Sequence, residues 1–473
     1  MMMQHEAPDS KRPLRTVSRS LAARVRLALL LVTVALGTLH ASDTWSAGSA
    51  RVSITPSQPV WLAGYGRRTM PSQGTAQELY ARALALKDTE DKIAVLVTTD
   101  MLGFPRALAD RVAARAAETL QLPRDRLLLN STHTHAGPVV GRLFANSYLK
   151  MTAADWRVVD EYTSDLEDKL IGVIGEAIGN LAPAQVDFGR TKAGFAVNRR
   201  LKTKSGVRAP FHNWEGPVDH DVSILRIRDS EARLQAVVFG YACHNTAIRP
   251  DMMKFHGGWA GTAQLELEKR HPGATAMFVM GAGGDINPYP YGTVQLAETH
   301  GQALAETVEV ALEKDLRPIR GSLRSVYDEV PVRFEDPPTR EEFKERLKGD
   351  NPYRRVHAKR MLQELDREGK LPESYAYPLQ VWQLGMDLTL VAMAGEVVVD
   401  YVLRLKREMG SDQTWVVGFS NDVFGYVPSE RILREGGAEA TTEAIHYNLP
   451  APFAPSIEET IIEKVHELKQ RLR

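Results

Sequence analysis

Two hydrophobic periods alternate along this chain, and they set most of its predicted architecture. Near the start, residues 50–54 read as a strand. Residues 92–99 (KIAVLVTT) form an apolar run bounded by polar residues, the mark of a buried strand. Residues 106–120 follow with apolar positions at helical spacing, and residues 127–131 return to strand. A long amphipathic helix is predicted over 160–181. Strands are predicted over 222–226 and 234–242, paired as a hairpin turned at 228–231. A helix over 259–269, a strand over 274–280 and a helix over 293–312 come next. Charged helical patterning over 335–375 predicts a surface excursion. Strand character resumes at 378–384 and 388–394, then a helix at 397–408, a strand at 414–419 and a last helix at 456–473. Such alternation predicts an α/β protein, a mixed β-sheet core flanked by helices in a single large domain. Neither an internal repeat nor a low-complexity linker breaks it.

Composition narrows the picture. The chain has 473 residues, 43% hydrophobic and 25% charged, with a formal net charge of +0. That is ordinary globular composition with length for a large core. No basic face stands outside the N-terminus, so nucleic acid is excluded as a partner. Lys11, Arg12, Arg15, Arg19, Arg24 and Arg26 precede an apolar run over 27–39, followed by small residues. This matches a secretory signal over residues 1–47, ahead of a catalytic domain over 48–473. Export to the periplasm or the medium is the expectation, with an uncleaved membrane anchor as the alternative. The single cysteine, Cys243, allows no intramolecular disulfide; in its apolar run it reads as a small buried hydrophobe.

Candidate chemistry gathers in four loops that follow strands. The first is Thr132-His133-Thr134-His135-Ala136-Gly137-Pro138. Histidines at i and i+2 of an extended chain point to one side, and imidazole is both metal ligand and general base. The second loop carries His244. The third, residues 281–288, presents Asp285 and Asn287 after a glycine-rich turn; a phosphate-binding loop is disfavoured because its lysine is missing. The fourth carries Glu396 at a predicted helix start. Strand carboxyl ends converge in α/β sheets, and two or three histidines with a glutamate make a usual catalytic zinc set. Taken singly, His244 also reads as a satisfied core histidine, Glu396 as a helix-dipole carboxylate, and Asp100 as a helix cap or a support for the site.

These motifs, in this order, resemble the neutral/alkaline, non-lysosomal ceramidases. The resemblance rests on Thr132 to Pro138, His244, Gly284 to Pro288, Gly395-Glu396 and Gly425-Tyr426-Val427-Pro428. Ala63-Gly64-Tyr65-Gly66 and Asn198-Arg199-Arg200 add to it, and it spans about residues 50–470. It implies a Zn2+ site held by His133, His244, Glu396 and Tyr426, with His135 supporting the reaction. Arg199 or Arg200 would bind a polar or anionic substrate group. Three departures matter. Asn287 stands where the family has a serine, and an asparagine is no hydroxyl nucleophile, though it can donate to an oxyanion. A later family tyrosine has no clear counterpart near Arg434-Glu435-Gly436, and the family's immunoglobulin-like C-terminal domain is expected to be absent.

The sequence thus predicts an exported zinc-dependent hydrolase that cleaves an amide, in an N-acyl sphingolipid or another small or lipid-like substrate, by metal-activated water. His135 would move protons, and Asn287 and Asp285 would orient or stabilise. Peripheral membrane contact is compatible with such a substrate. An esterase or lactonase is the first alternative, and a non-catalytic metal- or lipid-binding relative the second.

Overall fold

A computed structural model describes residues 45–204, 206–208 and 212–472, with the backbone alone for Arg208. The expected targeting segment lies outside these residues except for its last three, Trp45 to Ala47, which belong to the first strand of the folded unit.

Two sheets carry the core. In chain order the first is built from β1 (Trp45–Ser53), β2 (Tyr80–Lys87), β3 (Ile93–Thr99), β4 (Leu127–Ser131) and β5 (Ala182–Lys192). A short β6 (Ala196–Asn198) stands apart, and β7 (Asp221–Arg228), β8 (Leu234–Tyr241) and β9 (Thr275–Met280) complete the sheet. Its order is β9-β8-β7-β5-β1-β2-β3-β4, with Arg317–Pro318 beside β5. The pairs β3/β4 and β8/β9 are parallel and the others antiparallel. A separate β10 (Ile286–Pro288) pairs with β6. The second sheet has the order β11 (Leu323–Arg333), β12 (Ser374–Leu384), β13 (Leu388–Met393) and, after a short β14 (Glu396–Val397), β15 (Thr414–Val417).

The sheets pack face to face. Trp45, Leu84, Leu96 and Val238 of the first meet Leu323, Trp382, Leu390 and Trp415 of the second in one buried cluster. Helices cover the outer faces. On the first sheet lie α1 (Arg106–Leu120), α2 (Ala153–Gly179), α3 (Gly258–Arg270) and α4 (Val294–Leu312). The excursion holds α5 (Arg340–Lys348) and α6 (Pro352–Glu368), and α7 (Val399–Met409) and α8 (Ile457–Arg471) cover the second sheet. The mixed sheet core flanked by helices is therefore as expected, resolved into helix, sheet, sheet and helix layers.

Local differences have physical causes. α2 starts seven residues before the predicted 160, because Thr152 and Asp155 form a capping box ahead of the apolar stripe. β2, absent from the sequence reading, is a run of Ala, Leu, Arg and Lys that propensity favours as helix; pairing with β1 and β3 overrides it. β5 and β11 were also missed, since Pro183, Gly189 and Pro331 interrupt their patterns; β11 tolerates its proline as an edge strand. The excursion is more than a solvated face: Phe343, Ala358, Met361 and Leu371 bury one another there. Asp100 is neither helix cap nor site support. It is buried against Arg82, 3.1 Å away, with Gln264 and the Tyr80 amide also donating to it.

The layered packing brings strand ends from both sheets together. Asn130, at the end of β4, stitches them. Its Oδ1 accepts from Met280 N (2.9 Å), and its Nδ2 donates to Gly418 O (2.8 Å) and Ser420 Oγ (3.0 Å).

Candidate active site

Beyond those strand ends lies a cavity of about 550 Å³. His133 and His135 follow β4, His244 follows β8, Asn287 lies in β10 after β9, and Glu396 follows β13. Tyr426 belongs to β16 (Tyr426–Val427), the parallel partner of β14, so Glu396 and Tyr426 face each other in register. All six line the cavity, together with Arg199. Of these strands β13 belongs to the second sheet, so no single sheet edge assembles the floor.

The histidine pair does not work as an extended i, i+2 pair. β4 ends at Ser131, and His133 takes a left-handed backbone with φ 54°. That conformation is strained for a residue with a Cβ and marks functional positions. It still delivers both rings to one place: the Nε2 atoms of His133 and His135 are 3.2 Å apart.

Each ring that the sequence assigns to metal is fixed from behind. His133 Nδ1 lies 2.7 Å from Leu102 O, and His244 Nδ1 lies 2.7 Å from Gly283 O. A carbonyl accepts only, so both Nδ1 atoms carry the proton and both Nε2 lone pairs face the cavity. Glu396 Oε2 sits 3.0 Å from His244 Nε2 and 3.5 Å from His133 Nε2. With neutral imidazoles presenting lone pairs there, Oε2 has no hydrogen-bond donor. Its other oxygen accepts from Tyr447. Tyr426 Oη stands 3.4 Å from His244 Nε2 and accepts from Arg199 Nη2 at 3.0 Å.

Three acceptors that converge without a proton between them call for a cation. Zinc at about 2.0–2.1 Å from tetrahedral ligands implies ligand–ligand separations of about 3.3 Å. The successive separations from His135 through His133, Glu396 and His244 to Tyr426 are 3.2, 3.5, 3.0 and 3.4 Å. The residues therefore fit a metal ion. The nitrogen atoms of His133, His135 and His244 all lie within 4.8 Å of one another, so His135, predicted to move protons, is also within ligating reach. Burial favours the neutral form of His244 and His135: His244 is pushed down to about 4 by burial and the Arg199 charge. His135 is held well below the usual value by burial and then by its histidine neighbours. Burial raises the Tyr426 phenol well above its usual value, opposed by Arg199.

The other predicted residues divide. Arg199 lies at the cavity, its Nε on Glu439 (2.9 Å) and its Nη1 3.4 Å from Asn287 Oδ1. That bond leaves the Asn287 Nδ2 donor out of the arginine contact. Arg200 is buried behind the wall, bound to Glu439 and Glu435, and does not line the cavity. Asp285 is also outside the cavity lining. Its Oδ1 accepts from Val399 N (2.9 Å) at the start of α7, and its Oδ2 accepts from Asn198 Nδ2 (3.1 Å). Asp285, rather than Glu396, is thus the carboxylate at that helix start. It braces the turn after Glu396 and the strand leading to Arg199, and burial pushes its pKa up to about 6.

Sequence reasoning missed several cavity residues. Tyr447 and Glu443 lie on and just after the one-turn helix Glu443–His446, too short for periodicity to reveal. Tyr65 stacks obliquely on His135 at 4.8 Å. Beside it, Gly64 has φ +89°, and an added Cβ would lie 2.5 Å from His135 Cγ and Nδ1. The Gly-Tyr motif was legible as a motif, but its contact with His135 was not. Cys243 is fully buried and its thiol is pushed well above the usual value by burial.

Buried imidazoles with free lone pairs around an unpartnered carboxylate oxygen make a site that could hold a metal ion, set on a layered α/β scaffold. The sequence model of the neutral/alkaline non-lysosomal ceramidase N-terminal domain matches residues 45–300, and the chain belongs to that family. Family membership supports a ceramidase-type hydrolase. Two solved structures share the fold. The crystal structure of neutral ceramidase from Pseudomonas aeruginosa has a TM-score of 0.70 at 18% identity, covering 91% of this chain and 75% of that one. A ceramidase complexed with C2 has a TM-score of 0.69 at 17% identity, covering 91% and 76%. No curated protein sequence matches the chain. Among the described residues, no helix is long and apolar enough to cross a membrane.

Proposed function

We propose that this protein is an exported, zinc-dependent amidohydrolase, with an N-acyl sphingolipid as the first candidate substrate. The observation that carries the reading is the convergence of His133 Nε2, His244 Nε2 and the unpartnered Glu396 Oε2, with Tyr426 Oη beside them. His133, His244, Glu396 and Tyr426 would hold the ion. A mixed nitrogen and oxygen set of this size favours zinc, which when bound lowers the pKa of water to about 7 and polarises a carbonyl. His135, neutral and with Nδ1 unpartnered, takes the proton from the attacking water. As the C–N bond breaks, its electron pair stays on nitrogen, and His135 returns the proton there. Asn287 Nδ2 and Arg199 are placed to donate to the oxygen that gains charge in the transition state. Arg199 also donates to Tyr426 Oη and so favours its anionic form. Asp285 and Arg200 act by positioning, one on the Glu396 turn and the other on Glu439.

Asn287 at the position of the family serine favours a second reading, in which the same site cleaves an ester or lactone, bonds that need less help at the leaving group. The basic and apolar N-terminal segment supports export. The test is metal content of the purified mature protein, with His133→Ala and Glu396→Ala as controls, followed by amide and ester substrates. About one zinc per chain, lost in both variants, is expected, with amides turned over. A wild-type protein that stays metal-free after zinc loading overturns the reading.

A further inference from the structure

The cavity wall opposite the strand ends is the segment 438–448, and it is pinned at both ends. Glu439 is buried and bound to Arg199 and Arg200. At the other end, Asn146 Nδ2 donates to Ile445 O (2.8 Å) and Asn448 Oδ1 (3.1 Å), and Ser147 Oγ bonds His446 Nδ1 (2.7 Å). Between the pins, Glu443 lines the cavity. It stands four residues from Glu439 and differs from it in one respect: its side chain forms no hydrogen bond or ion pair among the described residues. The electrostatic neighbours of its carboxyl are Glu396, Arg199 and Glu439, and it acts in turn on Tyr426 and Tyr447. Arg199 donates to Glu439, Asn287 and Tyr426 and makes no hydrogen bond to Glu443. Burial and the Glu396 charge raise the Glu443 pKa to about 7, so above that pH it is a carboxylate on a rigid wall with no internal donor, an acceptor open to one from outside.

We propose that Glu443 is a specificity-determining residue: it accepts a hydrogen bond from a hydroxyl or ammonium group that the substrate carries within reach of its scissile carbonyl. The inference rests on the hydrolase reading above and adds a substrate class to it. Glu443, the unpaired one of the three glutamates, repels a substrate carboxylate at the same place, so the site selects donor-bearing amides against acidic ones.

The experiment uses the zinc-loaded mature protein and a set of amides of one acyl group. The amine portion carries a free hydroxyl, its methyl ether, a free ammonium or a carboxylate, and a second set carries the same groups on the acyl side. Wild type should prefer the hydroxyl and ammonium forms of at least one set by about tenfold or more in KM, the size of a charge-assisted hydrogen bond. Glu443→Ala should erase that preference, raising KM for the hydroxyl and ammonium forms to that of the methyl ether, with zinc content intact. Glu443→Gln, which keeps an accepting oxygen, should retain the hydroxyl preference and lose the ammonium one; it also serves if the alanine variant does not fold. Equal KM values across both sets for wild type, or an unchanged preference in both variants, overturn the proposal. If wild type cleaves no member, the amidase reading fails, and calorimetric binding of the same compounds decides Glu443. Donor-dependent binding lost in Glu443→Ala sustains it, and donor-independent binding overturns it.

Discussion

Replacing Gly64 by alanine tests how His135 works without touching any charged group. The backbone there has φ +89°, and the new Cβ would stand 2.5 Å from His135 Cγ and Nδ1 and 2.9 Å from its Cβ. Ordinary carbon contacts begin at about 3.5 Å, so the ring must withdraw by roughly 1 Å. The left-handed backbone adds roughly 1–2 kcal/mol of strain that glycine does not carry. The three atoms nearest the added methyl all belong to His135, so the displacement falls first on that ring. A misplacement of about 1 Å at a proton-transfer group costs about 100-fold in rate. The expected outcome is a folded protein, less stable by about 2 kcal/mol in urea unfolding, with kcat reduced about 100-fold. Zinc content should stay at the wild-type level if His135 moves protons, and fall with activity if His135 is itself a ligand, as its 3.2 Å separation from His133 Nε2 allows. Wild-type kcat with wild-type metal in Gly64→Ala would refute the premise that the position of His135 matters.

Two further outcomes follow from burial. Asp285 has its pKa raised from 3.8 to about 6 by burial. The folded state therefore binds its proton more tightly than the unfolded state, and folding stability falls as pH rises from about 4 to about 6. The penalty above that range is about 3 kcal/mol, so Asp285→Asn, which can still accept from Val399 N, should gain stability relative to wild type by that order between pH 4 and 7 in denaturant titrations; a constant difference across that range counts against the assignment. Cys243 is buried with its thiol pushed well above its usual value, so a thiol reagent at pH 8 should label it at the rate of unfolding, and rapid labelling of native protein would contradict this burial.

Much of the fold was legible because local pattern and tertiary role agreed. β3 and β4 are buried along almost their whole length, so they read as continuous apolar runs. α1 matches the predicted 106–120, closed by left-handed Gln121 and the Pro123 beyond it. Legibility failed where a neighbour decided. The Ala- and Leu-rich β2 becomes a strand because β1 and β3 flank it, and its own sequence does not ask for that. The site divides in the same way. His133, His135, His244, Glu396 and Tyr426 were found because residue type and motif order betray chemistry. Glu443 and Tyr447 were not, since they lie at a one-turn helix whose packing on Asn146 and Ser147 is long-range.

By itself the sequence determined the α/β alternation, the chemistry-bearing loops after the strands and the family to which they belong, because those depend on residue type and order along one chain. Tertiary structure alone decided that two sheets, not one, supply the floor. It decided that His133 reaches the cavity through a left-handed backbone, and that Asp285 braces the Glu396 turn instead of facing the cavity. It also left Glu443 without a partner while Glu439, one turn away, has two arginines. Each of these is settled by which groups meet across long stretches of chain, and whether a buried acceptor finds its donor there is a property of the packing.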